Sequence, residues 1–103
     1  DMTCLLQQVF ALVRARCGIE PDRESIDFYR FVAHLKFLAR RIAAGQNYGD
    51  RDADLLPAVR AKYPTAYACA QAICDQIRRD KGFDAGQNEL LCLTLHIARI
   101  TGA

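Results

Sequence analysis

Apolar residues recur along this chain at the three-and-four spacing of helices and nowhere alternate with period two over a useful length, which predicts helices and no sheet. Leu5, Leu6, Val9, Phe10, Leu12 and Val13 mark a first helix over about Met2 to Cys17, stopped by Gly18 as a C-terminal cap. The second and longest starts near Ser25, after Pro21, carries Ile26, Val32, Leu35, Leu38 and Ile42, and ends at Gly45. Gln46 to Asp54 contains Asn, Gly and three Asp residues and reads as a loop. A short helix from about Asp54 to Lys62 follows, with Pro57 in its first turn. Tyr63-Pro64 breaks the chain, and Thr65 is placed to cap a fourth helix through Tyr67, Ala70, Ile73, Cys74 and Ile77 towards Gly82. A fifth occupies roughly Gln87 to Thr101. The expected fold is all-α, a bundle of five helices without repeats or internal linkers.

The polar exceptions to this pattern carry the chemistry. On a helical wheel the second helix turns Phe28, Val32, Leu35 and Ile42 to one side, and Asp27, Arg30, His34 and Arg41 form a strip at its border. The fifth helix is apolar nearly all round, through Leu90, Leu91, Leu93, Leu95, Ile97 and Ile100, which implies burial on most sides. Its one polar seam carries Glu89, Cys92, His96 and Arg99. Seven residues separate Glu89 from His96, about 10.5 Å of axial rise, so a carboxylate partner for His96 is expected from elsewhere. The two seams are expected to meet in one region. The apolar surface of the second helix continues through Phe31 and Phe37, which points to a twofold contact between copies.

Composition narrows the class. With 103 residues, 51% of them hydrophobic, the chain has the size of one domain with a single modest core, taken as residues 1–103 of a longer regulator. A net charge of +2 in a chain with 25% charged residues lacks the concentrated basic surface of a nucleic-acid binder. No apolar run approaches the ~18 residues of a membrane span. Five cysteines, at 4, 17, 69, 74 and 92, without paired metal-type spacing, suit reduced thiols in a cytoplasmic protein.

A histidine at a helix border is more often a hydrogen-bonded structural residue than a reactive one. Here, however, the only two histidines occupy similar polar seams with arginines nearby. A neutral imidazole near pH 7 is a competent nucleophile and can hold phosphate as a phosphoramidate, with Arg30, Arg41 and Arg99 as candidate phosphate neighbours. Zinc is the rival use, since Cys92 and His96 stand one turn apart, but two further ligands would have to come from residues such as His34 and Cys74, and nothing in the spacing demands them. No cysteine sits at a helix N-terminus or among glycine-rich turns, as a cysteine nucleophile would require. No metal, no cofactor and no enzymatic activity are expected.

Three runs, in order, resemble a known family. Asp27-Phe-Tyr-Arg-Phe-Val-Ala-His-Leu-Lys-Phe-Leu-Ala-Arg-Arg41 resembles the first histidine motif of the PTS regulation domain, or PRD, of antiterminators of the BglG, LicT and SacY type. Lys62-Tyr-Pro-Thr-Ala-Tyr67 resembles its middle signature, and Glu89-Leu-Leu-Cys-Leu-Thr-Leu-His-Ile-Ala-Arg99 its closing motif, with Cys92 in place of the usual aromatic residue. The first run is closer to the second of the two tandem PRDs than to the first, where Asp commonly precedes the histidine and Ala33 stands here. The resemblance covers essentially the whole chain. It implies a helical bundle working as a homodimer, phosphorylated on His34 and His96 by the phosphocarrier HPr or a sugar-specific permease of the phosphotransferase system. Phosphorylation would then control RNA binding by a separate domain. A PRD of a DNA-binding activator, or an unregulated helical dimerisation module, are the alternatives.

Overall fold

In the computed structural model, which describes residues 2–47 and 49–103, the helices are α1 (Met2–Cys17), α2 (Ile26–Ala44), α3 (Leu56–Lys62), α4 (Pro64–Lys81) and α5 (Gly86–Thr101). A 3₁₀ turn, Ala53–Leu55, leads into α3, and no strand occurs among the described residues. Asp1, at the start of the expected domain, and Tyr48, in the expected loop, lie outside the described residues.

Local signals account for most of these boundaries. Ser25 takes an extended conformation (φ −79°, ψ 152°), its hydroxyl accepts the N–H of Phe28 at 3.0 Å, and it donates to the Asp22 carbonyl at 2.8 Å. At the other end Gly45, at φ +66°, donates its N–H to the last turn, a left-handed conformation that a side chain would oppose. The expectation that Thr65 caps α4 is corrected. The helix begins one residue earlier, at Pro64, with Tyr63 in the cap position and no side-chain cap bond. Proline already has its φ set for a first helical turn and has no N–H to leave unpaired there, so the helix needs no hydroxyl cap.

The core is drawn from every helix: Val9 and Val13 of α1, Phe31, Leu35 and Leu38 of α2, Leu56 of α3, Cys69, Ala70 and Ile73 of α4, and Leu90, Leu93 and Ile97 of α5. Helix α5 packs against α2, α3 and α4, as its all-round apolarity predicts. Phe31, expected on an outward apolar face, is fully buried and meets Phe10 edge to face at 5.6 Å between ring centroids. Ile26, Tyr29 and Phe37 hold the exposed apolar positions on α2 instead.

The loop after α2 is tied to the start of α5. Asn47 Nδ2 donates to the carbonyls of Asp84 and Ala85 at 2.8 and 2.9 Å. Asp50 accepts the N–H of Asn88 at 3.1 Å, capping α5 from another part of the chain, and Asn88 Oδ1 accepts the N–H of Asp52 at 3.1 Å. Gly86 makes this approach possible: at φ +83°, a Cβ there would lie 3.0 Å from both Asn47 Nδ2 and Asp50 Oδ1. Gly45 has open space at the same point. Gly45→Ala is therefore expected to cost about 1 kcal/mol, the left-handed penalty alone, and Gly86→Ala about 2 kcal/mol or more because it also displaces the loop. Urea denaturation of the two variants side by side measures the difference.

Candidate functional site

The site lies where α2 crosses α5. Glu89, in the first turn of α5, precedes the fully buried Leu93 by four residues and so points inward, leaving its side chain only 1% exposed. A carboxylate so deep requires partners, and α2 supplies two of them. His34 Nε2 lies 2.6 Å from Glu89 Oε2, and Arg41 Nη1 donates to Glu89 Oε1 at 2.7 Å. The spacing of seven residues on α2 places both partners on one side of that helix, two turns apart. Arg41 Nη2 also reaches Asn47 Oδ1 at 3.5 Å, which links the site to the loop that holds the start of α5.

His96, two turns along α5 from Glu89, takes no part in that carboxylate pair. Its ring stacks on Phe31 (centroids 5.5 Å apart, planes 13° apart) and tilts against His34, with centroids 4.9 Å apart. The two histidine seams thus meet, as expected. Burial, first, and then the neighbouring His34 and the positive charge of Arg99 push the His96 imidazole down to about 4, against the smaller opposing influence of Glu89 and Asp27. At neutral pH His96 is uncharged and keeps a nucleophilic lone pair.

The arginines separate. Arg41 is inside the site, Arg99 acts on His96 through its charge, and Arg30 is exposed on α2 one turn before His34. The sequence located Glu89 in the histidine seam and correctly left it unmatched to His96, but the carboxylate expected for His96 from elsewhere is not found among the described residues, and the pairing of Glu89 with His34 and Arg41 was missed. Its signal was a carboxylate at an inward position of an otherwise apolar helix.

The thiols around the site are poor nucleophiles. Cys74 is pushed up to about 12, by burial first and then by the charge of Glu89, and Cys92 is raised for the same two reasons in the same order. Cys69 is also pushed up to about 12, mainly by burial. Among the described residues no group of three or more His, Cys, Asp or Glu is placed to hold a metal ion.

The fold and site define an all-α module with two touching histidines and a buried carboxylate at a helix crossing. The PRD domain family matches residues 7–100, and the chain belongs to that family. Over 100 residues it is 38% identical to the transcription antiterminator LicT of Bacillus subtilis (strain 168), covering 97% of this chain and 36% of that protein. It is 30% identical over 99 residues to the beta-glucoside operon antiterminator of Dickeya chrysanthemi, covering 96% of this chain and 35% of that protein. With protein GlcT of Staphylococcus aureus (strain JH9) it shares 32% identity over 76 residues, 74% of this chain and 26% of the other. The chain therefore spans roughly a third or less of each relative's length.

The environment of His96 makes stability pH-dependent. An unfolded His96, with its ordinary value of 6.5, takes up a proton between pH 6.5 and 4 that the folded ring refuses. The contribution is fully present above pH 6.5 and is lost as pH falls towards 4, by up to about 3 kcal/mol. Urea midpoints measured from pH 7 to pH 4.5 are expected to fall, and to fall less steeply in His96→Phe, which keeps a ring on Phe31 but cannot titrate.

Removing the carboxylate is expected to be the most damaging single change at the site. Glu89→Ala leaves Arg41 in a buried position without its carboxylate partner, at a cost of about 3 kcal/mol or more, whereas Glu89→Gln retains an acceptor and costs less. Thermal unfolding of the two variants checks the ranking.

Proposed function

We propose that this domain is the phosphoacceptor of a transcriptional antiterminator controlled by the sugar phosphotransferase system, with His34 and His96 as the phosphorylated residues. The observation that carries the reading is the contact of these two imidazoles across the α2–α5 crossing, 4.9 Å between ring centroids, one ring held by a buried carboxylate and the other kept neutral. The domain is one PRD of a longer cytoplasmic regulator, and RNA binding resides in a separate part of that protein. Its partner is a phosphohistidine donor, HPr or a sugar-specific permease, and it takes up phosphate without turning over a substrate. The named antiterminators among its relatives favour this output over that of a DNA-binding activator.

A phosphate on either ring adds up to two negative charges to a crossing that already holds the Glu89 carboxylate. Arg41 and Arg99 are the basic groups at hand within the crossing, and Arg30 can be drawn in from the surface. Charge of that size at a helix–helix seam shifts how α2 presents its outer face, where Ile26, Tyr29 and Phe37 are 65%, 73% and 60% exposed. That apolar stripe is the proposed homodimer contact, and His34 lies roughly 80° round the helix from Ile26.

Incubation with HPr, Enzyme I and phosphoenolpyruvate is expected to label both histidines with acid-labile, alkali-stable phosphate, and His34→Ala and His96→Ala each to remove one label by mass spectrometry. Sedimentation is expected to show a dimer whose affinity changes on phosphorylation by a few kcal/mol at most. Label that persists in the double variant, or full phosphorylation without effect on association, would refute the proposal.

A further inference from the structure

We infer that Glu89 is a positioning residue that selects which nitrogen of His34 receives the phosphoryl group, directing it to Nδ1. The inference rests on the phosphoacceptor reading of His34 and adds the atom and the group that dictates it. A carboxylate only accepts hydrogen bonds, so at 2.6 Å from Glu89 Oε2 the His34 Nε2 carries the ring proton. Arg41, donating to the other oxygen at 2.7 Å, fixes the orientation of the Glu89 carboxylate. When the ring carries one proton, that proton is on Nε2 and the lone pair is on Nδ1. No described residue hydrogen-bonds that nitrogen, and the His34 side chain is 21% exposed.

Attack through Nε2 would require the ring to leave Glu89 and abandon a buried carboxylate, whereas attack through Nδ1 leaves the pair intact. The Nδ1 lone pair forms the new N–P bond, the N–P bond of the donor phosphoimidazolium breaks, and the donor ring departs with that electron pair as neutral imidazole. His34 becomes the phosphoimidazolium. No proton has to move, because Nε2–H stays on Glu89 and the positive charge that passes to the ring arrives beside the carboxylate. Glu89 thereby orients the acceptor and stabilises its charged product. His96 has no such carboxylate bond, so the two sites differ in the feature that sets regiochemistry.

Two measurements test this. Long-range ¹H–¹⁵N spectra of the unmodified full chain at pH 7.5 are expected to show His34 with Nε2 protonated, by a margin of at least tenfold, about 1.4 kcal/mol. A predominant Nδ1–H tautomer overturns the inference without any variant having to fold. After transfer from phospho-HPr, ¹H–³¹P correlation distinguishes the isomers, since phosphorus on Nδ1 couples to one ring proton and phosphorus on Nε2 to two. The Nδ1 isomer is expected at His34; in Glu89→Gln Arg41 and His34 compete for the one remaining acceptor oxygen, so the selection weakens and a mixture of isomers results. An Nε2 isomer in the unsubstituted protein, or an unchanged isomer in Glu89→Gln, overturns the role of Glu89 and leaves His34 as a phosphoacceptor. Absence of phosphate on His34 overturns the phosphoacceptor reading, and the inference with it.

Discussion

A carboxylate whose side chain is only 1% exposed, at the crossing of two helices, is the constraint around which this domain is arranged. Burying Glu89 is unfavourable unless both oxygens are satisfied by groups held in place, and the two that satisfy them, His34 and Arg41, sit two turns apart on α2. The position of α2 along α5 is thereby specified by directional bonds as well as by packing. Apolar contacts between Leu35, Leu38, Leu93 and Ile97 supply the bulk of the burial, but they would tolerate a small slide or rotation that a two-pronged hydrogen-bonded pair would not.

From that crossing the same group of residues extends in two directions. Through Arg41 and Asn47 it reaches the carbonyls of Asp84 and Ala85 and so the start of α5, where Asp50 caps the helix. Through His34 it reaches His96 and then the aromatic stack of Phe31, Phe10 and Phe28, which binds α1 to the back of α2. The two imidazoles are thus joined by contacts both to a polar latch at one end of α5 and to the aromatic layer under α1. Each is a contiguous set of contacts, and the buried pair between them responds to charge more than an apolar seam could.

The two histidines are alike in sequence setting and unlike in physical setting. His34 is partly exposed and bound to a carboxylate, whereas His96 is flattened against Phe31 and disfavours its charged form. A domain with two such rings in contact has two chemically distinguishable imidazoles rather than a duplicated one. The same kind of burial that keeps His96 neutral raises the nearby thiols of Cys74 and Cys92.

How much of this was legible in the sequence follows from the range of the forces involved. Helix positions were legible because apolar periodicity and glycine or serine caps act within a few residues: α1 ends, and α2 begins and ends, where those signals stand. Membership of the PRD family was legible in three ordered motifs, as were the two histidines as the candidate chemistry. What a wheel cannot show is which side of a border strip turns inward. Phe31 went to the core and Ile26 and Tyr29 to the surface, because α1 and α5 pack against α2 along a line its own sequence does not mark. The partner of Glu89 was beyond local reasoning for the same reason. Sequence separations of 55 and 48 residues close to hydrogen-bond distance only when α5 is laid across α2, and only the tertiary structure decides that crossing.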